Sequence, residues 1–207
     1  MTEYEKMHNG MIYDCLAEEI GAVQKKSHRL CDEYNMLGVD DEERKQAVLR
    51  ELFVEDDFGG YRSMEKPIFI DNMREIKIGK NFYSNIHFSF IGGCTVEIGD
   101  NVFVGPYCTL ATGIHSLVAE ERRISMDENG VVHDFEYGKP IKIGNDVWIA
   151  SNVTICGGVS IGDGSVIGAG SVVTKDIPAG VLAAGNPCRV IREITEKDSM
   201  YLKAKRE

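Results

Sequence analysis

No stretch of this chain approaches the run of about 20 apolar residues that a membrane span needs. Its first residues, MTEYEKMHNGMIYD, lack the basic segment and apolar run of a secretory signal. A membrane role is therefore not expected. Basic residues are in deficit: 23 Lys and Arg stand against 33 Asp and Glu, a net charge of −10. A nucleic-acid binder would carry a basic stripe instead. No two of the six cysteines, at 15, 31, 94, 108, 156 and 188, form a C-x-x-C pair, so neither a zinc site nor a redox dithiol is signalled. Without an export signal they are expected as reduced thiols, mostly small buried hydrophobes, in the cytoplasm.

The second half also lacks the periods of 3.6 and 2 that mark helices and lone strands. It has a period of six. Ile143, Ile149, Ile155, Ile161, Ile167 and Val173 are evenly spaced, and Ile98, Val104 and Leu110 repeat the phase earlier. The next residue is small or short: Gly99, Gly105, Ala111, Gly144, Ala150, Cys156, Gly162, Gly168, Thr174. Four residues after the aliphatic comes another compact residue: Val147, Val153, Val159, Ser165, Ser171, Ile177. This fits a short strand plus a corner, three faces to a coil, stacked as a solenoid with the aliphatics inside. The glycines are read as corner residues that are small or tolerate positive φ. Ile76, Ile78 and Gly79 are taken as the first edge of the stack.

The fold class is thus mostly β: a parallel β-helix of hexapeptide repeats. Residues 1–57 read as a helical cap over its open end. Ile12, Leu16, Ile20 and Val23 lie at helical spacing within 11–34, and Asp40 or Asp41 is placed to cap a second helix before Ala47, Val48 and Leu52. A linker follows at 58–66, then the β-helix at 67–184. The repeat breaks twice. Ile78 to Ile98 is two residues too long, so FIGG (90–93) carries a bulge. A polar loop at 113–140 protrudes from the prism, and loops of that length are usually functional. The tail at 185–207 holds 6 Lys and Arg against 4 Asp and Glu, where residues 1–66 hold 9 against 16. It is a basic island suited to a small anionic ligand.

His115 stands where the loop leaves the coil and is the general-base candidate by position. His8 and His28 are read as solvated.

Several stretches resemble the maltose and galactoside O-acetyltransferases: GKNFYSN (79–85), VEIGDNVFVGP (96–106), EYGKPIKIGNDVWIASNV (136–153), VIGAGSVVTKDIP (166–178) and AAGNPCRVIRE (183–193), with CDEYN (31–35) in the cap. The resemblance implies a left-handed coil and a homotrimer with acetyl-CoA in the groove between adjacent prisms. It implies direct acetyl transfer to a sugar hydroxyl, with His115 as base and Asn85 hydrogen-bonding the acceptor. Trp148, the single tryptophan, Ser151, Ala169, Thr174 and Lys175 match positions along acetyl-CoA. Arg189 and Arg192 match positions near its phosphates, where guanidinium geometry suits. Tyr83 and Asp71 are candidate acceptor contacts, as is Asp14, which with Tyr13 lies near the cap position where the family contacts its acceptor. Gly93 stands where galactoside-acetylating members carry an acidic residue, which puts galactoside specificity in doubt. Glu136 or a backbone carbonyl would orient His115.

Rival readings are another small acceptor, such as an antibiotic or a nucleotide sugar, and a trimeric zinc enzyme resembling carbonic anhydrase that uses His87, His115 and His133. A scaffold without activity is a third. The zinc reading leaves the acetyl-CoA positions unexplained, so no metal is expected.

Overall fold

The computed structural model describes residues 1–54 and 62–204. The chain winds into a left-handed parallel β-helix of about 6 turns, as the repeat predicts. Three faces are built. The first stacks strands Ile76–Ile78, Val96–Ile98, Ile141–Ile143 and Ser160–Ile161. The second stacks Arg62–Met64, Phe82–Ser84, Phe103–Val104, Trp148–Ile149, Val166–Ile167 and Val181–Ala184. The third stacks Ile68–Ile70, Phe88–Ile91, Thr109–Ala111, Thr154–Cys156 and Val172–Val173.

The in-phase aliphatics from Ile143 to Val173 are all at most 4% exposed. Burying such a side chain is worth about 1.5–3 kcal/mol, so the column they form is the main source of cohesion. The compact residues four places on, Val147 to Ile177, are buried at the corners.

The corners decide between the two reasons for the glycines. Positive φ falls not on the glycines after each aliphatic but on residues further into the turn: Asn81, Asn101 and Asp146 at one edge, His87, Tyr107 and Asn152 at the next. Asn and Asp tolerate this region better than most side chains. The glycines serve close approach instead. A Cβ on Gly99 would lie 2.7 Å from the Gly144 carbonyl carbon and 2.6 Å from Asn145 Oδ1. Beside them runs a side-chain ladder: Lys80 N–H donates to Asp100 (2.7 Å), Asp100 N–H to Asn145 (2.8 Å) and Asn145 N–H to Asp163 (2.7 Å).

The prism starts earlier than Ile76 or residue 67. Arg62–Met64 pairs in register with Phe82–Ser84, so these residues of the expected linker are its first strand. Residues 58–61 lie outside those described. The cap closes the open end with side chains. Helix α1 spans Glu3–His8, α2 Glu18–Met36 and α3 Glu42–Leu52. From α2, Asn35 both accepts from Ile68 N–H (2.8 Å) and donates to Ile68 O (2.9 Å). Ser27 donates to Ile70 O (2.6 Å) and Tyr34 to Met64 O (2.7 Å). These side chains stand where a further strand would pair.

Helix α2 begins later than its apolar pattern implies. Ile12 and Leu16 precede it and are 68% and 51% exposed, while Tyr13–Asp14 forms a strand. Helix α1 carries a Thr2–Glu5 capping box. Asp41 precedes α3, but its carboxylate accepts from Gly38 N–H (2.6 Å) rather than from the helix. At the far end, Arg189–Glu193 folds back antiparallel on Val181–Ala184.

Gly99→Ala is expected to destabilise the prism by about 1–3 kcal/mol through overpacking, measured by urea denaturation; an unchanged midpoint would show that adjacent coils can separate.

Candidate active site

The insertions into the repeat stack on one edge. Where the third face turns into the first, Ile70 to Ile78 and Phe90 to Ile98 are eight residues apart, and Leu110 to Ile143 far more. The bulge at 90–93 is therefore one of three insertions. The long loop does not hang free. Gly113–Ile114 pairs antiparallel with Phe135–Gly138, which pairs in turn with Tyr13–Asp14. Between them Ser125–Met126 and Val132–His133 form a hairpin.

This layered edge carries His115. Its side chain is 54% exposed, and Nε2 lies 3.4 Å from Glu136 Oε2, an ion-pair contact longer than a formed hydrogen bond. Catalytic contacts of this length commonly tighten once a ligand is bound. Glu136 is only 15% exposed. Burial raises its pKa; the bond from Tyr13 and the His115 charge pull it down, and Asp134 and Asp71 push it up. The other oxygen of Glu136 accepts from the Tyr13 hydroxyl. A cavity of about 340 Å³ opens beside this group, lined by Ile12, Ser116, Glu121, Phe135, Glu136 and Tyr137. Of the two partners the sequence left open for His115, the one that lies beside it is the Glu136 carboxylate.

The other expected acceptor contacts divide. Asp71 Oδ2 accepts from Gly92 N–H (3.2 Å) and Oδ1 meets His28 Nε2 (3.2 Å). Both oxygens of Asp14 are engaged by the loop: Oδ1 by the N–H groups of Leu16 (3.1 Å) and Asp134 (3.0 Å), Oδ2 by His133 Nδ1 (2.7 Å). Asp14 therefore fastens the loop and does not face the cavity. Gly93 is also corrected. It is buried beneath α1, and a Cβ there would come 2.1 Å from Met7 Sδ. No acidic side chain fits at 93 while Met7 is seated. Gly92 takes φ +102° and backs onto Gly113, whose N would be 2.4 Å from a Cβ.

A second group of expected residues lies on another edge, where the second face turns into the third. Tyr83, Asn85, Trp148 and Ser151 line one groove of about 270 Å³ with Phe103, Gly105 and Pro106. Asn85 Oδ1 accepts from Ile86 N–H (2.8 Å), which fixes the amide and leaves its NH₂ to donate. Trp148 is 53% exposed between Phe103 and Val166. Ala169 follows on the same edge, tied by Gly170 N–H to Ser151 O (2.9 Å). Arg189 pairs with Ala184 there. Arg192 is different: it makes a two-pronged pair with Asp198, both contacts 2.7 Å, so its charge is already met within the tail. Thr174 and Lys175 follow the third face and belong to the His115 edge, both exposed.

The chain crosses the third face, Phe88–Ile91, between Asn85 and Gly92. The His115 group and the Asn85 group therefore sit at opposite margins of that face. One copy of the chain does not bring them together.

Two histidines read as solvated have partners. His8 Nδ1 meets Glu75 (2.8 Å), which Tyr4 also bonds (2.8 Å), and His28 meets Asp71. Glu75 is 1% exposed and burial raises its pKa. His87 stacks on Tyr107 with centroids 4.5 Å apart, away from His115 and His133. Among the described residues no group of three or more His, Cys, Asp or Glu could hold a metal ion, and no helix is long and apolar enough to cross a membrane. Glu75 and Met7 are not legible as site residues, and Tyr13, read near an acceptor contact, bonds Glu136 instead; these contacts join positions far apart in the chain.

Two family profiles match: the maltose acetyltransferase hexapeptide capping motif over residues 6–55, and the bacterial transferase hexapeptide (six repeats) over 140–175. Galactoside O-acetyltransferase of Escherichia coli (strain K12) is 40% identical over 201 residues, 97% of this chain and 94% of that protein. The chain belongs to the maltose and galactoside O-acetyltransferase family. It is an acyltransferase. Two solved members of the family superpose closely. A maltose O-acetyltransferase from Clostridium difficile 630 gives a TM-score of 0.82 at 40% identity, covering 95% of this chain and 99% of that one. A galactoside acetyltransferase in complex with coenzyme A gives 0.83 at 39%, covering 96% and 94%.

The loop anchor should depend on pH. His133 is held above its ordinary 6.5, first by its bond to Asp14 and then by the charges of Asp14 and Asp127. Burial raises Asp14, but the bonds from His133, Asp134 and Leu16 outweigh it and hold it below 3.8. The backbone N–H of Val131 leads in lowering Asp127. Stability from His133 is fully present below 6.5 and lost as pH rises through its raised value. Stability from the carboxylates is present above 3.8 and lost as pH falls through their lowered values. Amide protection at residues 13–16 and 134–136 is therefore expected to decline as pH rises past 6.5, and His133→Gln should flatten that decline; an equal decline in the variant would assign it elsewhere.

Proposed function

We propose that this acyltransferase moves an acetyl group from acetyl-CoA to a hydroxyl of a small sugar, with His115 as general base. The observation that carries the reading is the pairing of His115 with the half-buried Glu136, which lines a cavity on the edge where the loop leaves the prism. Glu136 faces Nε2 and stabilises a protonated imidazole, so Nδ1 receives the acceptor proton. The hydroxyl oxygen attacks the thioester carbonyl carbon as that proton moves. Ser151, or a backbone N–H beside it, holds the oxyanion. Collapse breaks the C–S bond, and the imidazolium returns the proton to the thiolate of CoA. No acyl-enzyme is formed.

The site is built between subunits of a homotrimer. What supports this is the separation of the two groups across the third face: the His115 edge of one copy completes the Asn85 edge of the next. Acetyl-CoA then runs along Trp148, Ser151 and Ala169 of one prism and Thr174 and Lys175 of its neighbour. Its phosphates approach Arg189, while Arg192 first has to leave Asp198. The two solved or curated galactoside relatives support a sugar as acceptor class; the closed position at Gly93 argues against a galactoside contact there.

His115→Ala is expected to lower kcat by roughly 10²–10⁴-fold in a thiol-release assay with acetyl-CoA and a sugar panel, with CoA affinity kept. Equal rates in both proteins would remove His115 from the role. Intersubunit sites make a second prediction. Mixed trimers of His115→Ala and Asn85→Ala chains should regain activity that neither variant has alone, because some interfaces then join an intact His115 to an intact Asn85. Absence of complementation in mixed trimers confirmed by mass would place the whole site in one chain.

A further inference from the structure

The Tyr13 hydroxyl has an unusual partner. Tyr13 is 2% exposed and packs with Met7 and Ile20 in a small apolar cluster apart from the prism core. A buried tyrosine hydroxyl needs a hydrogen-bond partner wherever it lies. Here the partner is Glu136, the carboxylate already facing His115. The two are cross-strand neighbours, Tyr13 opposite Glu136. Three further contacts fix that register: Asp14 on His133 (2.7 Å), Cys15 N–H on Asp134 O (2.9 Å) and Glu3 on Asp14 N–H (2.7 Å).

We propose that Tyr13 is a positioning residue for acetyl transfer: its hydroxyl holds the Glu136 carboxylate ionised and aimed at His115, so the N-terminal segment assembles the base. The inference rests on the assignment of His115 above. The chemistry of the donor matters. Glu136 is partly buried and has Asp71 and Asp134 close enough to oppose its charge. Something has to favour the ionised form. A lysine or arginine would do so but would neutralise the carboxylate that the imidazolium needs. A phenol stabilises the anion by one hydrogen bond and leaves its full charge facing His115. Burial raises the Tyr13 pKa, with the Glu136 bond and charge adding to it, so the hydroxyl stays a donor. The bond also occupies Oε1, which leaves Oε2 as the atom turned to the imidazole.

Tyr13→Phe removes one oxygen and keeps the ring in its apolar cluster. Two measurements read the result. In carboxyl-¹³C NMR titration the Glu136 midpoint should move up in Tyr13→Phe, because the bond that lowers it is gone; this readout needs no turnover. An unchanged midpoint overturns the proposal, whether or not the acetyl-transfer reading holds. In the thiol-release assay kcat should fall by roughly 10-fold, the scale of a hydrogen bond to a charged group, with KM for acetyl-CoA unchanged and the acid limb of kcat shifted to higher pH. The same substitution in a Glu136→Gln background should have no further effect on kcat. Additive losses in that double-mutant cycle would make Tyr13 a packing residue and overturn the proposal. Loss of turnover in His115→Ala, beside wild-type turnover in Tyr13→Phe, would sink this proposal while leaving the base assignment standing.

Discussion

The fold depends on how closely one coil can sit on the next. At one edge the residue after the inward side chain is glycine in four coils, Gly79, Gly99, Gly144 and Gly162; at another it is Glu65 and Asn85 in the first two coils and then Gly105, Ala150, Gly168 and Ala184. A Cβ on any glycine of these two columns would come within 2.8 Å of the next coil, so the vertical spacing is set there by close backbone approach. At the third edge the matching residues are Asp71, Ile91, Ala111, Cys156 and Thr174. That edge has no glycine column, and it is the one from which all three insertions leave. Two edges hold the coil in register, and the third is free to carry added chain.

The added chain makes the chemistry. A bare prism offers flat faces and solvent-facing turns. The insertions at Asp71–Glu75, Ile91–Thr95 and the long loop, roofed by α1 and the Tyr13–Asp14 strand, shield most of Glu136 from water and leave His115 at the surface beside it. The cap segment has two jobs carried by different parts. Helix α2 satisfies the end of the prism, while the residues before it reach down the edge to Glu136.

What could be read in the sequence follows the range of the interactions. The column from Ile143 to Val173 repeats locally, so its phase and burial were legible, and with them the prism and the place where the loop leaves. His115 is a candidate in the sequence because it stands at that exit. Glu136 is a candidate through EYGKP, and Tyr13 through its place in the cap, but their pairing is not legible, because the two meet across more than 120 residues with no shared period. Ile12 and Leu16 fitted a helical stripe by spacing alone; an apolar side chain that lines a cavity or stays exposed is indistinguishable in sequence from one in a core. Of the two reasons the sequence offers for the glycines, small size is the one the corners require, and positive φ falls on other residues. Gly93 looked like a missing acid, yet the position is closed by a methionine from another element.

The side chains of α2 that bond Ile68 and Ile70 have a consequence beyond the site. A solenoid's terminal strand presents a row of unpaired N–H and C=O groups, and any copy of the same prism presents a matching row. Asn35, Ser27 and Tyr34 occupy those groups with atoms that cannot be extended by another coil. The cap is thus also a chain terminator. It keeps a structure that grows by stacking identical layers from continuing, molecule upon molecule, into a fibre.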